Sequence, residues 1–218
     1  MSCRASPDDV DPSALGACPA ELVELRPISI DDWAAVRYVH KAACRTGFGP
    51  RISPRCIEAF MAMVDTPAYM DRLQGSDLVG AWLSGQLAGT AGWRPVAGQG
   101  HVARIEGLFV QPLFSFMGLG SLLLAQAEAR ARKAGYGAIT VLAPANAVPF
   151  FMRLGYDIYA QGAGVSDLPS DMPVSVMRKR EPAAVTVFPN GSRVPSPRAH
   201  AGLAHHWAVS AHRLLVDD

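Results

Sequence analysis

The apolar positions between residues 21 and 180 change period several times, and each change marks an element. Glu21–Ser29 (ELVELRPIS) reads as a strand. From Ile30 the spacing turns helical: Trp33, Val36, Val39 and Ala43 share a face, Asp31 or Asp32 suits the cap, and Gly47 and Gly49 break the run. Ser53–Arg72 is a second helical region with the stripe Ile57, Phe60, Met61 and Val64, interrupted near Thr66 by Pro67. Asp77–Leu83 and Gln86–Trp93 read as strands joined by the turn Ser84-Gly85. Their glycines, Gly80, Gly89 and Gly92, point to bulges or close backbone approach. After a turn at Pro95–Gly100, His101–Gln111 completes a three-stranded antiparallel meander that Pro112 ends.

The pattern then becomes helical again after Gly118. Leu119, Leu122, Leu123, Ala127, Ala131 and Ala134 form the inner face, and Glu128 and Arg132 are expected as an i, i+4 pair on the outer one. Lys133 and Gly135 suit the C-terminal dipole and a left-handed stop. Ala138–Leu142 is a short strand buried on both faces, so strand, helix and strand imply a right-handed parallel crossover. Asn146 is expected to cap a short helix with Pro149 in its first turn and Gly155 at its end. Tyr156–Ala160 and Val174–Arg178 are the last core strands, with Gly162–Pro173 a long loop suited to a flap between them. The expectation is an α/β (α+β) fold with a mixed, mostly antiparallel sheet of about seven strands.

The flanks differ. Residues 1–20 are rich in Pro, Asp and Ser without periodicity and read as a disordered tail. From Glu181 prolines punctuate the chain, Asn190-Gly191 suggests a hairpin, and Arg198–Leu215 has helical spacing. The domains expected are therefore a tail over 1–20, a core over 21–180 and a C-terminal appendage, hairpin plus helix, over 181–218. The appendage holds His200, His205, His206 and His212. No i, i+4 histidine pair or nearby cysteine completes a ligand set, so no metal site is expected.

Candidate chemistry sits in Ile105–Gly120 (IEGLFVQPLFSFMGLG), a strand that runs through a glycine loop into a helix. Such a helix start binds anions, because free N–H groups and the dipole point outward and glycine lets a phosphate approach. It is not a P-loop, since Ser121 and Leu122 stand where Lys-Ser/Thr would follow, and the three-glycine dinucleotide spacing is absent. Val110-Gln111-Pro112, then Gly118-Leu119-Gly120, then a helix ending at Lys133-Ala134-Gly135, resembles the acyl-CoA-binding core of the GNAT superfamily of N-acetyltransferases. Pro149-Phe150-Phe151-Met152-Arg153-Leu154-Gly155-Tyr156 is similar to that family's second signature, and the two occur in the family's order.

The resemblance implies a GNAT-like sheet with helices on both faces, acetyl-CoA as co-substrate, no metal, and direct transfer of acetyl to a primary amine on a small molecule or peptide. It places the pyrophosphate on the backbone N–H groups of Met117, Gly118, Leu119, Gly120 and Ser121. It lays the pantetheine arm along Leu108, Phe109 and Val110 and adds a cofactor contact at Asn146. It puts the acceptor pocket against the first two helices, where Arg45 and Arg51 are cations. Two positions depart from the pattern. Ser115 and Phe116 stand where Arg or Gln and a small residue are usual, which removes a charge-assisted phosphate contact. Phe151 stands where a tyrosine often protonates the departing thiolate. A lysine-like amine is almost wholly protonated near neutrality, so a base is required. Glu106 is the candidate, on the same strand face as Arg104 and Leu108 if no bulge intervenes, with His101 in reserve. A non-catalytic acyl-CoA-binding module or sensor is the alternative, and a nucleotide-binding domain a third.

Composition narrows the partners. The chain has 218 residues, half of them hydrophobic, and a net charge of +1. That gives no footprint for nucleic acid or an anionic membrane. No apolar run approaches the roughly 18 residues of a membrane span, and no signal-peptide core is visible near Asp8, Asp9 and Asp11. A cytoplasmic protein is expected, with a homodimer one of the assemblies left open. The cysteines, Cys3, Cys18, Cys44 and Cys56, lack metal-ligand spacing and read as free thiols.

Overall fold

A computed structural model of the chain describes residues 23–48, 52–162, 168–169 and 172–179, and the backbone of 185–187 and 193–195. The chain divides into two units, residues 1–180 and 181–218. The first holds a seven-stranded sheet in the order β1-β2-β3-β4-β5-β7-β6. Its strands are β1 (Val23–Pro27), β2 (Val79–Leu83), β3 (Gln86–Pro95), β4 (Val102–Val110), β5 (Ala138–Pro144), β6 (Tyr156–Gly162) and β7 (Val174–Lys179). Every neighbouring pair is antiparallel except β4 and β5, which are joined by the crossover helix α4 (Leu119–Lys133). In the second unit, β8 (Val185–Val187) pairs antiparallel with β9 (Arg193–Pro195). The turn Asn190-Gly191, the helix expected over 198–215 with its histidines, the tail over 1–20 and most of the expected flap lie outside the described residues. Among the described residues, no helix is long and apolar enough to cross a membrane.

Two apolar layers sandwich the sheet. On one face, Leu123, Leu124 and Ala127 of α4 pack on Ala91, Ala103, Ile105, Ile139 and Val141, joined by Phe151 of α5 (Val148–Arg153). On the other, α1 (Trp33–Gly47), α2 (Pro54–Val64) and α3 (Pro67–Gln74) bury Val36, Val39, Phe60, Leu73 and Leu78. The break expected near Thr66 is real and has a local cause. Thr66 lies in extended backbone before Pro67, and its hydroxyl oxygen accepts from the Tyr69 N–H at 3.2 Å, so it caps α3. That cap sets the start of the helix carrying Tyr69 and Arg72.

Several local expectations change. A 3₁₀ turn at Ile30–Asp32 precedes α1, and the Asp32 carboxylate turns back to accept from the Ser29 N–H and from Arg26. Ala147, not Asn146, caps α5. Ala134 lies exposed past the end of α4. Glu128 is buried rather than on the outer face: its oxygens accept from Tyr156 Oη at 2.8 Å and Arg132 Nη1 at 3.1 Å, with Lys179 Nζ 3.0 Å away. The strand glycines are places of close approach, since a Cβ on Gly89 would lie 2.7 Å from the Phe109 carbonyl oxygen. Cys44 and Cys56 are buried, and neither forms a disulfide among the described residues.

Candidate functional site

The parallel ladder of β4 and β5 runs only from Val102–Ala138 to Ile105–Val141. β5 continues against β7 as far as Pro144, while β4 continues against β3 as far as Val110, so the two strands part beyond Ile105. A bulge reinforces the parting. Gly92 pairs with Glu106 and Thr90 with Phe109, so Gly107 and Leu108 oppose the single residue Ala91. Gly107 has φ +60, where a side chain would be strained, and a Cβ there would also meet Leu78 at 3.0 Å. The extra residue shifts the alternation. Ile105, Leu108 and Val110 pack on the α4 layer, while Phe109 joins the α1–α3 layer. The expected sharing of one face by Glu106 and Leu108 is therefore corrected: the bulge intervenes.

The parted strands open into a cavity of about 330 Å³. Glu106 to Val110, Leu142 and Pro144 form its strand walls. Gly120 and Phe150 close it on the α4 side, and Phe60, Tyr69 and Arg72 on the other. The glycine loop sits at its rim. A 3₁₀ turn at Pro112–Phe114 ends β4, and Gly118, at φ +79, is the N-cap of α4. The N–H groups of Ser121 and Leu122 both donate to the Gly118 carbonyl at 3.1 Å. Ser121 is thus engaged within the turn, and among the described residues the Leu119 and Gly120 N–H groups at the helix start have no backbone acceptor. No atom lies within 4 Å of where a Gly118 Cβ would stand. Phe116 also has positive φ, +66, with its ring fully exposed. Leu119 is buried as a whole residue.

Glu106 is buried, its side chain 8% exposed, and lines the cavity. Its Oε1 accepts from Arg94 Nε at 2.5 Å. Its Oε2 lies 3.9 Å from Arg72 Nε and, among the described residues, accepts no hydrogen bond. His101 stands exposed in the turn before β4 and is not among the residues lining the cavity, so the structure does not bring it to Glu106. Asn146 lines the cavity, but its amide donates to the Gly47 carbonyl and ties the end of α1 to the loop before α5. Arg45 is exposed and Arg51 lies outside the described residues; Arg72 and Arg104 are the cavity's arginines. Phe151 is buried against Phe150 and Tyr156, and the Tyr156 hydroxyl is committed to Glu128.

Three polar residues in this region are not marked by any sequence motif. Tyr69, on the cavity wall, has its hydroxyl 2.7 Å from His40 Nδ1. His40 Nε2 lies 2.8 Å from Thr90 Oγ1, and Thr90 donates to the Gly107 carbonyl at 2.5 Å. Burial, helped by the Arg72 cation, pushes the His40 pKa down to about 3, so it is neutral near pH 7. Burial raises the Tyr69 pKa, so the phenol keeps its proton. His40 directly follows Val39 of the α1 stripe and reads in sequence as an ordinary helix residue. Its only sequence signal is a histidine among buried positions.

Comparison with known proteins meets the same site from outside. Residues 38–162, more than half of the chain, match the acetyltransferase (GNAT) domain. A solved GCN5-related N-acetyltransferase from Rhodopseudomonas palustris is 26% identical with a TM-score of 0.64, over 72% of this chain and 94% of that one. The PaiA N-acetyltransferase from Thermoplasma acidophilum, in complex with coenzyme A, is 20% identical with a TM-score of 0.59, over 73% and 99%. The N-acetylglutamate synthase from Neisseria gonorrhoeae, complexed with coenzyme A and N-acetyl-glutamate, is 18% identical with a TM-score of 0.50, over 72% and 35%. The last two likenesses are of fold. Comparison with curated protein sequences gives no match.

Proposed function

The chain belongs to the GNAT acetyltransferase family and is an acyltransferase, and from that premise we propose that it moves an acetyl group from acetyl-CoA directly to a primary amine. The observation that carries this reading is the parting of β4 and β5 beyond Ile105, widened by the Gly107 bulge and opening beside the start of α4. A thioester arm laid there pairs with the backbone of Leu108, Phe109 and Val110 as an added strand would. Its pyrophosphate meets the Leu119 and Gly120 N–H groups at the helix start. Asn146 holds the rim. Residues 21–180 form the transferase unit, 181–218 are an appendage to it, and the reaction runs in the cytoplasm.

In this reading the amine nitrogen attacks the acetyl carbonyl carbon, the C–S bond breaks, and CoA leaves as thiolate. Backbone donors fixed before the reaction stabilise the oxyanion at no cost in reorganisation. The amine must first lose a proton. Glu106 lines the cavity, and its Oε2 is a buried carboxylate oxygen that accepts no hydrogen bond among the described residues; in this reading Glu106 takes that proton. The thiolate, with a thiol pKa near roughly 8.5, leaves without help from Phe151.

Release of free thiol from acetyl-CoA, assayed over a panel of primary amines, tests the chemistry; no release with any amine overturns it. Gly118→Val tests the loop. Valine at φ +79 is strained and sits on the open rim, so calorimetry is expected to show at least 10-fold weaker acetyl-CoA binding by the folded variant. Unchanged affinity would remove the loop from the cofactor site.

A further inference from the structure

The buried hydrogen-bond chain behind the cavity has a direction that chemistry fixes. The Gly107 carbonyl only accepts, and Thr90 has one hydroxyl proton, which goes to that carbonyl over 2.5 Å. Thr90 Oγ1 must then accept from His40, so Nε2 carries the imidazole proton across the 2.8 Å contact. In the neutral ring Nδ1 is consequently bare, and it accepts the Tyr69 hydroxyl proton at 2.7 Å. His40 and Thr90 are fully buried. The far end of the chain returns to the acceptor side, because the Arg72 guanidinium lies 4.9 Å over the Tyr69 ring with its Nε 3.9 Å from Glu106 Oε2. From the Tyr69 hydroxyl to the Gly107 carbonyl, each hydrogen bond of this series thus has an assigned donor and acceptor.

The carbonyl held at its end belongs to the one residue inserted into β4. The peptide following Gly107 carries that carbonyl and the Leu108 N–H together, since they share one plane. Pinning the oxygen therefore aims the N–H, and with it the start of the Leu108–Val110 segment. We infer that His40 is a positioning residue for acyl transfer: it orients the Thr90 hydroxyl, which clamps the Gly107 carbonyl and so aims the backbone beyond the bulge at the acyl group. The inference rests on the reading of Leu108–Val110 as the thioester's partner.

Paired substitutions separate this role from packing. Thr90→Val keeps the shape and removes the hydroxyl; Thr90→Ser keeps the hydroxyl. His40→Gln places an amide N–H near the position of Nε2, whereas His40→Asn reaches only the position of Nδ1. The expected result is kcat lowered about 10-fold or more in Thr90→Val and His40→Asn, with KM for acetyl-CoA changed less than about 3-fold. Thr90→Ser and His40→Gln are expected to stay within about 3-fold of wild type in kcat. Thr90→Val that folds and turns over like wild type overturns the inference, as does His40→Asn no worse than His40→Gln. If Thr90→Val does not fold, ¹⁵N spectra of the wild-type imidazole decide: a proton on Nε2 is expected, and a proton on Nδ1 breaks the chain. Wild-type protein that releases no thiol with any amine removes the acetyl-transfer reading and this inference together. An active wild type with an equally active Thr90→Val removes this inference alone.

Discussion

Two buried glutamates, one on each side of the sheet, differ in what is left over after pairing. Glu128 on α4 and Glu106 on β4 are almost equally enclosed, with side chains 7% and 8% exposed. Both lie near two cations: Glu128 near Arg132 and Lys179, Glu106 near Arg94 and Arg72. At Glu128 both oxygens are hydrogen-bonded, and burial raises the pKa of its partner Tyr156, so that phenol stays a donor. At Glu106, a residue of the cavity wall, one oxygen is held and the other is buried and, among the described residues, accepts no hydrogen bond. Burial and charge therefore do not distinguish structure from chemistry here. What differs is the unfilled acceptor position, and the proposed role of Glu106 as base rests on it.

The largest expected effect follows from that unfilled acceptor position. Glu106→Gln keeps the shape and the Arg94 contact but removes the proton acceptor. It is expected to lower kcat about 100-fold near neutral pH while acetyl-CoA affinity stays within about 2-fold. An unchanged pH–rate profile in that variant would move the base elsewhere and make the two glutamates alike. Glu128→Gln is the converse. It leaves Arg132 and Lys179 facing a neutral amide in a buried setting, with an expected loss of about 2 kcal/mol in urea unfolding and kcat within about 2-fold below the melting temperature. A loss of kcat at unchanged stability would show that the α4 cluster feeds the cavity.

How far each glutamate was legible in sequence differs for a physical reason. Helical and strand periods carried the element order, and the two signatures carried the glycine loop, because both are local. Glu106 is a candidate from sequence because it sits on the strand that leads into the glycine loop. Its relation to Leu108 was not, because a bulge depends on the partner strand: nothing within β4 but Gly107 announces it, while the register against Thr90 and Gly92 fixes it. Glu128 was misplaced because an i, i+4 pair with Arg132 is the normal sign of a solvated face. Its burial comes from Tyr156 and Lys179, on strands that follow later in the chain. His40, Thr90 and Tyr69 meet from separations of 29 and 50 residues, and no local period encodes that meeting.

Acid stability sharpens the comparison from a third buried group. His40 titrates near 6.5 when unfolded and only near 3 when folded, so below pH 6.5 the unfolded chain binds a proton that the native state refuses. Its contribution is fully present above pH 6.5 and is lost as pH falls toward 3, at about 1.4 kcal/mol per pH unit in the middle of that window. The aspartates held low by Arg26 and Arg130, Asp32 and Asp77, add their losses only below about pH 4. Urea unfolding at pH 7, 6 and 5 is expected to show the slope in wild type and a flatter line in His40→Gln. Equal slopes would mean that another group carries the acid response.

The smallest effect is expected at the hydroxyl that closes the structural cluster. Tyr156 Oη donates to Glu128 Oε1 over 2.8 Å, and Lys179 Nζ approaches the same oxygen at 3.0 Å. Tyr156→Phe removes one hydrogen bond but leaves that oxygen its cation, so no bare carboxylate is created. The ring keeps its edge contact with Phe151 at 5.5 Å and its place 4.9 Å below the Lys179 ammonium. The loss is therefore the ordinary net value of a hydrogen bond to a charged group partly shared with another donor, about 1 kcal/mol. For a unit of this size that lowers Tm by about 2–4 °C. Neither kcat nor acetyl-CoA affinity is expected to move, since this phenol points away from the cavity into α4. A Tm unchanged within error would mean that Lys179 alone holds the carboxylate. Lost turnover at an unchanged Tm would place Tyr156 in the reaction and dissolve the contrast between the two glutamates.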